Sequence, residues 1–110
     1  MKDIEYCKLE IFIPESHLEV LSKKLKELDV GHIGNYSECL SYSEVISRWK
    51  PLNNTNPYIG NIGELSEEKE LKVEVTCKLD NIDNILKEIK EIHPYEEPVI
   101  NVISLYKVGL

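Results

Sequence analysis

Polar and apolar residues alternate along Tyr6–Ile13: Cys7, Leu9, Ile11 and Ile13 fall on one face, Lys8 and Glu10 on the other. That period of two is the mark of a half-buried strand. The period then changes. In PESHLEVLSKKLKELD, from Pro14, the leucines Leu18, Leu21, Leu25 and Leu28 recur at steps of three and four, the apolar stripe of an amphipathic helix. Pro14 suits a first helical turn because its missing N–H would have no partner there, and Gly31 beyond Asp29 offers a left-handed stop. SECLSYSEVISRW, from Ser37 to Trp49, is polar but tolerant of extended backbone and predicts a long, partly exposed second strand. KPLNNTNPYIGNIGELSEE, residues 50–68, mixes proline, asparagine and glycine without a period and predicts a long loop. ELKVEVTCKL restores strict alternation, with Leu71, Val73, Val75, Cys77 and Leu79 on one face and Lys72, Glu74, Thr76 and Lys78 on the other. Asp80 or Asn81 is positioned to cap a second helix with the stripe Ile82, Ile85, Leu86, Ile89 and Ile92. HPYEEP, residues 93–98, ends that helix, and VINVISLY forms the last strand.

The order βαββαβ makes two strand–helix–strand units. Joined antiparallel, they give an α+β, ferredoxin-like sandwich in which two helices cover one face of a four-stranded antiparallel sheet. A chain of 110 residues holds one such domain and not two. Right-handed crossovers bring the long loop, the start of the first helix at Glu15 to His17, and HPYEEP to one end, with Gly31 to Tyr36 and Asp80 at the other. His32 and His93 therefore do not meet within one subunit. Tyr6 and Phe12 are expected on the sheet face away from the helices, joined by Tyr36 and Tyr42 if the second strand keeps that phase.

Composition narrows the classes of function. With 42% apolar and 30% charged residues, the chain is of ordinary globular type, and no apolar run approaches the roughly 20 residues needed to span a bilayer. MKDIEYCKLEIFI carries acidic residues early and runs straight into a strand, unlike a secretory signal, so a cytoplasmic location is expected. A formal charge of −7 repels a phosphate backbone, and the densest lysines, Lys23, Lys24 and Lys26, are accompanied by Glu19 and Glu27; no nucleic-acid or membrane partner is expected. Cys7, Cys39 and Cys77 share no metal-type spacing; Cys7 and Cys77 fall on the apolar faces of neighbouring strands, where they read as small buried hydrophobes.

HPYEEP concentrates the candidate chemistry. Pro94 disfavours helix at His93, and Pro98 pushes Glu97 into an extended conformation, so the segment is stiff by construction. A helix C-terminus and the carboxylates Glu96 and Glu97 favour the imidazolium form of His93. Three readings stay open: a rigid turn with surface ion pairs, a divalent-cation site using His93 with Glu96 or Glu97 as metal ligands, and an organic-ligand site that includes Tyr95. Further candidate ligands at the same end are His17, Asn53, Asn54, Asn56 and Glu64, although the exposed first helical turn favours a solvated side chain for His17. In the long loop, Asn56, Tyr58, Gly60 and Gly63 suit an anion-binding nest, without the ending or setting of a Walker loop, and Tyr58 and Trp49 suit anchoring against a neighbouring subunit. So long an unstructured loop favours a functional or assembly role. At the opposite end, His32, Gly34 and Asn35 form a turn ahead of Cys39; His32 and Asn35 are candidate ligand contacts, while a Cys39-dependent site lacks a visible third member.

Taken together, HIGNYSECLSYS, the loop with NPYIGNIGE, and HPYEEP resemble the PII/CutA-like domain inserted in the YqfO-type dimetal-binding proteins, also described as Ngg1-interacting-factor-like or GTP cyclohydrolase type-two-like. The resemblance runs from the first strand to SLY. HPYEEP by itself is similar to the HPYE-x-P segment of the divalent-cation tolerance protein CutA. The resemblance implies a ferredoxin-like trimer with ligand sites at subunit clefts, and it does not extend to the dimetal chemistry, which belongs to flanking halves that this chain lacks. The expectation is a non-enzymatic, homotrimeric ligand-binding or regulatory module meeting a small molecule or protein. A divalent-metal-binding protein of the CutA type is the alternative, and a metal- or cysteine-dependent hydrolase a third class.

Overall fold

The computed structural model describes residues 3–109. Strand β1 is Tyr6–Ile13; a 3-10 turn at Glu15–His17 leads into helix α1, Leu18–Glu27; β2 is Ser41–Trp49 and β3 is Ser66–Lys78. A second 3-10 turn, Leu79–Asn81, precedes helix α2, Ile82–Ile92, and β4 is Ile100–Leu105. The strands lie in the order β2-β3-β1-β4, every neighbouring pair antiparallel, so the fold is the α+β arrangement the periodicities predict. No helix among the described residues is long and apolar enough to cross a membrane.

The core sits between sheet and helices. Cys7, Leu9, Ile11 and Ile13 of β1 and Leu71, Val73, Val75 and Cys77 of β3 meet Leu21 and Leu25 of α1 and Ile85 and Ile89 of α2, all buried. Each such aliphatic side chain contributes roughly 1.5–3 kcal/mol when removed from water. Cys7 and Cys77 face each other in the β1–β3 register, and burial pushes the Cys77 thiol up to about 12.

Four expectations change in the folded chain. β2 begins at Ser41, not Ser37, because the chain first closes the turn Ile33–Tyr36 and bonds Cys39 N–H to the Gly31 carbonyl at 2.9 Å. β3 begins at Ser66, four residues before the predicted start at Glu70, because Ser66–Glu70 find ladder partners in Val45–Trp49. Neither Asp80 nor Asn81 caps α2 with its side chain; the 3-10 turn fills that role. Finally, Tyr42 pairs with the buried Val73, and residues paired across a ladder share a face, so Tyr42 lies on the helix side while Tyr36 sits in the turn.

The open face is consequently less aromatic than expected. Tyr6 and Phe12 lie on it, but its centre is a charged ladder: Lys8 bridges Glu74 and Glu10, Lys72 reaches Glu10 at 3.2 Å, and Asn101 donates to Glu10 at 3.3 Å. Lys72, then Asn101, hold the Glu10 carboxyl below its usual range.

Candidate functional site

α2 ends where Pro94 demands it: His93 adopts φ −77° and ψ 135°, extended backbone. The imidazole does not remain at the surface. It is 7% exposed, with Nε2 2.7 Å from the Phe12 carbonyl oxygen and Nδ1 accepting from Tyr95 N–H at 3.1 Å. That pair of bonds fits the neutral imidazole, donor at Nε2 and acceptor at Nδ1. The expected imidazolium is overturned: burial lowers the pKa of His93 and outweighs the Phe12 carbonyl and the Glu70 charge, which act the other way. Both ring nitrogens are occupied inside the chain, so this conformation offers neither to a metal.

Tyr95 continues the segment onto the open end of the sheet. Its ring lies 4.9 Å from that of His93, 6.1 Å from Trp49 and 6.0 Å from Tyr58, tilted against each. Its hydroxyl donates to Glu70 Oε2 at 3.2 Å. Burial first, and then the Glu70 carboxylate, push the Tyr95 phenol well above its ordinary range, so it stays protonated and donating. Glu70 is 6% exposed. In the sequence it is one more polar position in the strand ELKVEVTCK, indistinguishable from Glu74, and only the return of HPYEEP over the end of the sheet buries it.

The loop between β2 and β3 orders itself against its own chain, where a neighbouring subunit was expected to anchor it. Trp49 Nε1 donates to the Ile59 carbonyl at 3.2 Å, Gly63 N–H to Pro51 O at 2.8 Å, and Tyr58 meets His17 edge to face at 6.1 Å. Asn56 N–H donates to Glu96 Oε1 at 2.8 Å, tying the loop to HPYEEP. The bond from Gly63 removes one donor from the expected nest.

Between loop, sheet end and HPYEEP lies a cleft of about 470 Å³. Trp49, Tyr58, Tyr95, Phe12 and Pro51 supply apolar walls, and Glu70, Glu96 and Glu97 carboxylates. Of the predicted ligand residues, Tyr58 and Tyr95 line it; Asn56 supports its rim, and Gly60 and Gly63 shape the loop behind. His17 approaches through Tyr58. Glu64 is held by Asn61 at 3.1 Å. His32 and Asn35 lie at the far end, as the topology requires, where His32 bonds Asp29 and the Gly34 carbonyl, each at 3.0 Å, and Asp29 raises its pKa. Among the described residues no group of three or more His, Cys, Asp or Glu side chains is arranged to hold a metal ion.

Comparison with known proteins agrees with this architecture. Residues 58–109 match the family CutA1 divalent ion tolerance protein. A protein of Listeria innocua named GTP cyclohydrolase 1 type 2 homolog is 38% identical over 110 aligned residues, covering 96% of this chain and 30% of the relative. A homolog of the same name from Bacillus subtilis is 33% identical over 95 residues, 86% of this chain and 26% of the relative. The chain thus spans about a third or less of the length of these curated relatives. Among solved structures, a Bacillus cereus protein related to NIF3 superposes with TM-score 0.82 at 29% identity, over 97% of this chain and 27% of that one. The periplasmic divalent cation tolerance protein CutA of Archaeoglobus fulgidus, at 19% identity and TM-score 0.71, shares the fold over 96% of this chain and 87% of its own.

Proposed function

We propose that this chain, a CutA1/PII-like domain like those within the GTP cyclohydrolase 1 type 2 homologs, works as a single-domain, non-enzymatic, homotrimeric ligand-binding or regulatory module in the cytoplasm. The observation that carries the reading is the cleft itself. A mostly apolar concavity of about 470 Å³ with a few convergent polar groups is the usual form of a small-molecule site. Its loop wall is fixed by the Asn56–Glu96 and Trp49–Ile59 bonds. Assembly is supported by the open sheet face, over which no helix of the described chain packs, and by the apolar positions at its edge, Val99 and Ile103, 56% and 42% exposed. The non-enzymatic reading draws on His32 and Cys39 each bonding within their own turn and not to one another. The activity named for the longer relatives is not carried over.

Mass measurement in solution tests the assembly: a species of three chains is expected, and a 12.7 kDa monomer at micromolar concentration overturns it. Binding is tested by calorimetric titration with a panel of nucleotides and small organic ions, repeated on Tyr58→Ala.

The match to a divalent-ion tolerance family over residues that include HPYEEP favours a second reading, a divalent cation held by Glu96 or Glu97 with His93. It requires His93 to release Phe12 or Tyr95. Zinc and copper titration of the wild type and His93→Ala separates the readings: equal metal binding by both removes His93 from the site.

A further inference from the structure

Resting on the reading of this cleft as a binding site, we infer that its ligand is a small organic cation, an ammonium group on an apolar body, held by Glu70 and the rings of Trp49, Tyr58 and Tyr95.

Glu70 carries the inference. Its carboxylate is buried, 6% exposed, and the hydrogen bond the structure gives it comes from a neutral phenol, Tyr95. Among the described residues no Lys, Arg or His side chain pairs with it within salt-bridge distance, whereas Glu10, Glu67, Glu74 and Glu88 all have cationic partners. A buried carboxylate without a counter-charge is costly, and a cation bound beside it would relieve that cost. The surroundings fit the same charge. The faces of tryptophan and tyrosine rings attract cations, most strongly where water is excluded, and three such rings line the space that Glu70 lines. Glu96 and Glu97 at the rim add negative potential that draws a cation in. The two cationic residues of the lining do not cancel this: Arg48 is turned to Glu67 at 3.5 Å, and Lys50 is exposed. An anionic ligand would meet the carboxylates of Glu70, Glu96 and Glu97 in the same lining.

Trp49 is the sole tryptophan of the sequence, so its fluorescence reads the cleft directly. The 110-residue chain is titrated with choline and with its neutral isostere 3,3-dimethylbutan-1-ol, with benzylamine against benzyl alcohol, and with ATP. Saturable emission changes are expected for choline or benzylamine, at least tenfold tighter than for the neutral partner, and Glu70→Gln should abolish that preference. Equal affinity for cation and isostere, or binding of ATP alone, overturns the cation assignment and leaves the cleft as a site. No response to any compound overturns both. A Glu70→Gln protein that binds choline as before but changes its mass in solution assigns the carboxylate to a subunit contact and overturns the inference as well.

Discussion

The imidazole of His93 lies 2.7 Å from the carbonyl oxygen of Phe12, joining the turn after α2 to the last residues of β1 across a sequence separation of 81 residues. With Tyr95 N–H on the other ring nitrogen, His93 acts as a buried latch that sets the path of HPYEEP over the end of the sheet. His93→Ala removes both bonds and leaves a void; a loss of about 2–3 kcal/mol is expected. Urea denaturation at a fixed protein concentration checks it, and a change under 0.5 kcal/mol would show that the latch carries no stability.

The two histidines with shifted protonation should act on stability in opposite directions. Burial depresses the folded-state pKa of His93 below the unfolded value near 6.5. The native state therefore binds fewer protons in that window, and stability falls as pH drops through about 6.5 toward the folded pKa. Asp29 raises the pKa of His32, so its contribution is complete below about 6.5 and disappears as pH rises through the folded value. Thermal melts from pH 5 to 8 should show a shallower acid-side loss in His93→Gln and a shallower alkaline-side loss in His32→Gln. Parallel curves for wild type and both variants would refute the assignment.

Tyr95 and Glu70 form a pair whose worth a double-mutant cycle can isolate. Tyr95→Phe strips the buried carboxylate of its phenolic donor and should cost about 1.5–3 kcal/mol. Glu70→Gln in the same background should recover part of that loss, because a neutral amide is cheaper to bury than a carboxylate. Simple additivity of the two changes would mean that the hydroxyl and carboxylate do not interact.

Gly31 stands where only glycine fits. Its φ is +89°, and a Cβ there would lie 2.6 Å from the backbone oxygen of Cys39. Gly31→Ala is expected to lose about 2–4 kcal/mol through strain and displacement of the turn that carries chain into β2. A midpoint equal to that of the wild type would contradict the close approach.

How much of this was legible beforehand differs between scaffold and site. The strands β1 and β3, both helix stripes, the stop at Pro94 and the separation of His32 from His93 follow from period, proline geometry and crossover handedness. The phase of β2 was not legible, because SYSEVISRW has comparable side chains in both phases and only pairing with Leu71 and Val73 decides its face. The CutA-like resemblance pointed to the end of the molecule where the cleft lies, yet Glu70 gave no sequence signal, and His93 gave a misleading one: neighbouring carboxylates argue for imidazolium until burial is known.

Local periodicity and the fixed φ of proline are properties of the chain alone, and they determined the elements, their order and the end at which loop and HPYEEP converge. Desolvation, hydrogen-bond occupancy and the pairing of a carboxylate such as Glu70 depend on what packs above a residue. Tertiary structure alone decided that His93 is buried between the Phe12 carbonyl and Tyr95 N–H and that the Glu70 carboxylate lies beneath the Tyr95 phenol.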